Sequence, residues 1–435
     1  MIDFAVTGTI GLTSGELLVG KSISIIGPGA VNLTLTANSK SRVFHIGPDK
    51  VVAISGLKII NGNATGQYPD NEGGGVFNER AMLTLVDCVV TKNSAENQGA
   101  GICNDSAGGS ANLEISGSTL ISNSAPFGAG ICNDARMGGT ALLQLRNTSV
   151  SINSGIYGGG IFTIGDFGHA AAALSNCTIN GNSVQTRGGG IYCEVTDVPA
   201  EHKQRSGRQN SGMVQSGPGN SALTIINSTI SGNLAGMLGG GIYDHALIEI
   251  ANSTFSGNSA TSGGGIYHDG GMPPLAVAIS DTVLNAGSSG ENIFDNGGTI
   301  TSLGYNLSSD DGGGYLIGPG DQINTDPVLG ALQDNGGPTF THALLPGSTA
   351  IDSGDPNFTP PPFYDQRGPG FDRVVNGRVD IGSFEVQAAT PTPTPTTTPT
   401  TSPTPTATTT PTPTATARPR PTLTPRARPT PAPRP

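Results

Sequence analysis

The chain has 435 residues, of which 66 are glycine, 12% are charged and none is tryptophan. Glycine costs about 1 kcal/mol relative to alanine inside a helix, so this composition excludes a helical bundle or a doubly wound enzyme and points to strands and turns. The net charge of −11 becomes −16 once the acid-free segment 390–435 and its five arginines are set aside, a charge that repels nucleic acid and anionic membrane surfaces.

Met1-Ile2-Asp3 opens without a basic stretch leading into an apolar one, and no run approaches the roughly 18 apolar residues of a membrane span. The sequence therefore predicts no membrane-spanning segment. It leaves two routes to the outside: export without a standard signal peptide, or a start inside a longer gene product.

From there the chain repeats. Val76, Ile102, Ile131, Ile161, Ile191, Ile242 and Ile266 each follow glycine, mostly two or three of them. Eight to nine residues earlier stands an asparagine in six of these units: Asn93, Asn123, Asn153, Asn182, Asn233 and Asn258. Leu85, Ile115, Leu145, Leu174, Ile225 and Ile250 lie eight residues before those asparagines, and Leu83, Leu113, Leu143, Ala172, Leu223 and Ile248 lie ten before. A spacing of two is the strand period, with both positions on one face.

A unit of 24–30 residues made of short strands cannot bury its apolar face alone, but stacking it on its neighbour makes a continuous core. The predicted fold is all-β, a right-handed parallel β-helix over 1–307 with about nine or ten coils rising about 4.8 Å each. Stacked asparagines then hydrogen-bond the turn above and the turn below, a structural ladder. Residues 195–220 interrupt the period as an insertion loop carrying Glu201, His202, Lys203, Arg205 and Arg208. Loops thrown out from a rigid solenoid often carry function, so Arg205 and Arg208 are binding candidates.

Residues 308–389 read as an irregular cap over the open end of the solenoid, with Asp365, Arg367, Arg373, Asp380 and Glu385 as its polar set. From Thr390 onward the chain is almost wholly Pro, Thr and Ala, with 15 of the 32 prolines. That composition cannot form a core and reads as a disordered spacer or stalk.

Several stretches carry a family likeness. Asn-Ser-Thr-Ile-Ser-Gly-Asn at 227–233 and Gly-Gly-Gly-Ile-Tyr at 239–243 and 263–267 resemble bacterial surface β-helix repeats. Ser-Leu-Gly-Tyr-Asn-Leu at 302–307, Asp-Pro-Val-Leu-Gly-Ala-Leu-Gln-Asp-Asn-Gly-Gly-Pro-Thr at 326–339, His-Ala-Leu-Leu-Pro-Gly-Ser-Thr-Ala-Ile-Asp at 342–352, Asp-Gln-Arg-Gly at 365–368 and Asp-Ile-Gly-Ser-Phe-Glu at 380–385 resemble the choice-of-anchor Q domain, over about 280–386. The resemblance implies an exported β-helix held at the cell surface, and it brings no established catalytic set.

Three residues after the repeat isoleucine stand Glu79, Asp105, Asp134, Ile164, Glu194, His245 and Asp269. Stacked acids repel unless they are solvated or recruit a cation, which makes Asp105 and Asp134 candidates for Ca²⁺; no other cofactor is expected. Asp244, His245, His268 and Asp269, with Glu194, form the acid–base set of an enzymatic reading; its bland alternative is chance clustering at a repeated polar turn. Tyr192, Tyr243 and Tyr267 stack as a carbohydrate-binding strip if they face outward and as core if they face inward.

The five cysteines follow the repeat and lack a C-x-x-C pair, so small-residue stacking accounts for them. The leading function is an extracellular or cell-surface adhesin, a monomer that binds polysaccharide or a surface partner. A polysaccharide lyase or glycoside hydrolase is the second reading, and a cell-wall spacer the third.

Overall fold

Short runs such as Leu83-Thr84-Leu85 and Leu113-Glu114-Ile115 alternate apolar and polar side chains, so each can lie in a sheet only with its apolar side inward. A computed structural model describes residues 1–165, 167–194, 220–271 and 275–387, and in it these runs stack into three long parallel sheets. Two sheets have 11 strands and the third has 10. One coil illustrates the path: Ile102–Asp105 in the third sheet, Ser110–Ser116 in the first, Thr119–Ile121 in the second. The same order recurs from Ile2–Asp3 to Leu307–Ser308, giving a right-handed parallel β-helix. Among the described residues the only helical turn is Gly312–Gly314.

The register is the one the repeat demands. Ile102 pairs with Val76 and Ile131, Ile161 with Ile131 and Ile191, and Ile242 with Ile191 and Ile266. The register passes 195–219 unshifted. Glycine makes the turn into this sheet: Gly188 has φ +68°, and a Cβ on Gly190 would meet the carbonyl oxygen of Gly241 in the next coil at 2.6 Å. The coils stack too closely there for any side chain.

The core is one continuous column, mainly of Leu, Ile and Val, from Ile25 to Leu316. At its edge the asparagines stack as expected. Nδ2 of Asn123 donates to Oδ1 of Asn153 at 3.0 Å and to the carbonyl of Val90 at 3.1 Å. Its Oδ1 accepts from the backbone N–H and the Nδ2 of Asn93 at 3.1 and 3.0 Å. Every polar atom of the amide is used, and the pattern repeats through Asn153, Asn182, Asn233 and Asn258.

The recurrent Asn-x-Ser/Thr triplets mark the corner between the first and second sheets. Asn147, Asn176, Asn227 and Asn252 adopt φ of +48° to +55° there, a left-handed conformation asparagine tolerates. Where the middle residue is Ser or Thr it supplies a hydroxyl rung: Ser253 donates to the carbonyl of Ala251 at 2.8 Å and accepts from the backbone N–H of Ser228 at 3.2 Å.

The chain divides into two units, Met1–Ala388 and Ala389–Pro435, and the second lies outside the described residues. Within the first, the segment expected to cap the open end does two different things. Tyr315 and Leu316 close the end of the core, whereas 326–387 runs back along the outer side of the second sheet as a strap. Gln366 Nε2 faces the Cys177 carbonyl at 3.1 Å and the Thr178 hydroxyl at 2.9 Å, and its Oε1 accepts from Thr229 at 2.6 Å. The threonine-rich outward face of that sheet could not be left dry without such partners. In the strap, buried Arg367 pairs with Asp365 and lies between the rings of Phe371 and Phe384 at 3.9 and 3.8 Å. Buried Arg373 donates to the carbonyls of Asp380 and Gly382.

Candidate binding face

Strand alternation sorts the third sheet into columns. The repeat isoleucine points in, the next residue out, the second in, the third out. The second position is Asn78, Asn104 and Asn133 in three successive coils, and these form a further amide ladder: Asn78 donates to Asn104 at 2.7 Å and Asn104 to Asn133 at 2.8 Å. Thr163, Cys193, Asp244 and His268 continue the same column.

Asp244 and His268 are therefore inside the solenoid, both fully buried. His268 Nδ1 lies 2.6 Å from Asp244 Oδ2, and His268 Nε2 lies 3.2 Å from the carbonyl oxygen of Leu275. A carbonyl only accepts, so Nε2 carries a proton. Burial pushes the Asp244 carboxyl up, partly offset by His268. Burial pulls the His268 imidazole down, but the hydrogen bond and charge of Asp244 outweigh it and raise it. The enzymatic set is thus split: Asp244 and His268 face the core, while Glu194, His245 and Asp269 lie on the outward side.

The outward first position is an aromatic stack. Rings of Phe162, Tyr192, Tyr243, Tyr267 and Phe294 follow one another with centroids 4.9–5.5 Å apart and planes within 18°. Tyr192, Tyr243 and Tyr267 keep only 1%, 2% and 7% of their surface exposed, so they are core and present no open strip to a ligand. Cys103 and Cys132 occupy the same column, and all five cysteines are buried and free.

The acidic third position is neither a bare row nor fully solvated. Tyr68 donates to Asp105 at 2.9 Å, Gln98 to Asp134 at 2.8 Å and Tyr243 to Asp269 at 2.8 Å; Tyr192 donates to Glu194, and Arg136 pairs with Asp134. Asp105, Asp134 and Glu194 are buried. Burial and the neighbouring carboxylates push the Tyr192 and Tyr243 phenols up, keeping them as neutral donors. Among the described residues no three His, Cys, Asp or Glu side chains are grouped to hold a metal ion. Arg205 and Arg208 lie outside the described residues.

A strip absent from the sequence reading covers the aromatic stack. Gln98, Phe127, Tyr157, Arg187, Leu238 and Ser262 pair in register across six consecutive coils. Each stands four residues before a repeat isoleucine. Phe127 and Tyr157 stack at 5.5 Å with planes 4° apart. The Arg187 guanidinium sits over the Tyr243 ring at 5.1 Å and donates to its hydroxyl at 3.2 Å. Phe127, Tyr157, Arg187 and Leu238 are half-buried. Beside them, on the same short strands, runs an open groove of about 470 Å³ lined by Ser124, Ser154, Ser183, Gly155 and Gln185. A constant offset of four from the isoleucine was the available signal; the changing residue type along the column hid it.

Two likenesses to known proteins accompany this geometry. Residues 176–194 and 252–269 match the Chlamydia polymorphic membrane protein repeat. Both segments hold an Asn-x-Ser/Thr corner and the glycine turn into the third sheet. The crystal structure of pectate lyase Pel9A is similar over 88% of this chain and 87% of that one, with 12% identity and a TM-score of 0.47. Curated proteins give no significant match. Among the described residues no helix is long and apolar enough to cross a membrane.

Proposed function

We propose that this chain is a surface-displayed β-helix that binds a polymer, in the manner of an adhesin or glycan-binding module. The observation that carries the reading is the outward strip and the groove beside it, where half-exposed rings and hydroxyls recur at the spacing of the coils next to one cation, Arg187. A repeating face suits a repeating ligand. Surface display is supported by the match to a repeat named for membrane proteins and by the Pro/Thr-rich segment 390–435, whose composition suits a stalk.

Asp244 and His268 are turned into the core, away from any polymer outside, which favours binding over cleavage. The test is a glycan array probed with the full chain, with and without Ca²⁺, while released reducing ends and unsaturated products are followed in the same wells. Binding without product release supports the reading. Product release that disappears in Glu194→Gln or Asp269→Asn replaces it with an enzyme.

A further inference from the structure

The strip over the third sheet is more specific than a generic adhesive face. Phe127, Tyr157, Arg187 and Leu238 pair directly along the axis, each from the next coil, so their spacing is the inter-strand distance of about 4.8 Å. The four positions contribute two stacked rings, a guanidinium and an aliphatic side chain in turn. Arg187 is held rather than loose, because one Nη donates to Tyr243, which in turn donates to Asp269. Arg187 is half-buried, and among the described residues the Tyr243 hydroxyl is the one acceptor its guanidinium meets. The adjoining groove is floored by Gly155, where an added Cβ would meet the Ala125 carbonyl oxygen at 2.3 Å. Its sides carry the exposed hydroxyls of Ser124, Ser154 and Ser183 and the amide of Gln185.

We infer that this strip and groove form a subsite for a linear, uncharged glycan lying parallel to the solenoid axis. The inference rests on the polymer-binding reading and names the site and ligand class. The outward edges of Phe127 and Tyr157, whose faces are turned to each other, give sugar rings an apolar border to lie against. Serine hydroxyls, an amide and a positioned guanidinium match sugar hydroxyls, which both donate and accept. Charge decides against an acidic polymer: the chain outside 390–435 carries −16, and Glu194 and Asp269 lie directly behind the tyrosines that support Arg187. A single guanidinium does not reverse that field.

The experiment is native affinity electrophoresis of the full chain through gels containing hydroxyethyl cellulose, galactomannan or laminarin, with polygalacturonate as the anionic probe. At least one uncharged polymer should retard the protein, with retardation unchanged by about 0.5 M salt, which screens charges beyond a few ångströms. Tyr157→Ala and Arg187→Gln should each weaken retardation roughly tenfold or more, as truncation of an aromatic or arginine anchor does. Tyr157→Phe should retain it, and so should Phe363→Ala, which removes an exposed ring from the strap. Melting curves identify a site variant that fails to fold, and the other site variant then decides. Retardation unchanged in both site variants places the ligand elsewhere and overturns this inference while leaving polymer binding intact. Retardation only by polygalacturonate, abolished by salt, overturns the ligand class. No retardation in any gel overturns both.

Discussion

His268 Nδ1 stands 2.6 Å from Asp244 Oδ2 in the interior column that Asn104 and Asn133 occupy lower in the rod. A carboxylate–imidazole pair replaces an amide rung, and the replacement makes the fold sensitive to pH where the amides are not. His268 is raised above its ordinary value of 6.5. Its contribution is therefore fully present below pH 6.5 and is lost as pH rises through the folded value. Thermal melts should show stability falling as pH rises above about 6.5. In Asp244→Asn the strongest favourable partner is gone, and burial is opposed only by the Leu275 carbonyl and the Asp295 carboxylate, so the fall toward alkaline pH should flatten or reverse. An unchanged slope would show that this pair does not set the dependence.

Asn153 tests the amide ladder. Alanine there removes two donors and two acceptances, leaving the backbone N–H of Asn123 and the carbonyl of Leu120 without their partner. Each orphaned buried group costs about 1–3 kcal/mol, so chemical denaturation should show a loss of at least about 3 kcal/mol. Asn153→Asp, nearly isosteric, should be no better, because it sets a carboxylate against the Leu120 carbonyl and the Asn182 side-chain oxygen.

Gln366 fastens the strap. Its amide reaches Cys177, Thr178, Thr339, Phe340 and Thr229. Gln366→Ala should raise hydrogen exchange across 326–387 and in Thr178–Asn180 and Thr229–Ser231, while leaving strands such as Thr140–Arg146 protected. Exchange rising equally along the whole rod would mean that strap and coils open as one unit.

The thiols report on the intact core. Burial pushes Cys88 up to about 11 and Cys177 up to about 12, and raises the other three as well. Thiolate is the reactive form, so a thiol reagent should label none of the five in the native protein and all five in denaturant. Three after denaturation would reveal a disulfide.

How much of this was open to sequence reading follows from the kind of contact involved. The isoleucine and asparagine columns repeat the same residue type, so aligning units exposes them, and the register follows. Whether Tyr192, Tyr243 and Tyr267 face ligand or core depends on what lies over them. That cover is a column whose residue changes from Gln98 to Phe127 to Tyr157 to Arg187, with no shared type to align. The split between Asp244 and Asp269 follows from alternation alone; reading Asp244 to Asp269 as one cluster set that alternation aside. The strap pairs Thr178 with Phe340 and Thr229 with Ser383 across more than 150 residues outside any repeat, and no local pattern announces such contacts.

The insertion at 195–219 leaves after Glu194 and the chain re-enters at Asn220, yet Ile191 still pairs with Ile242. Contour length and axial advance are thereby uncoupled: 51 residues of chain climb the same single step that 24 climb between Ile242 and Ile266. Such a scaffold can gain or shed whole lobes at its corners while the pitch of its working surface stays constant, a ruler whose marks do not move when something is hung from it.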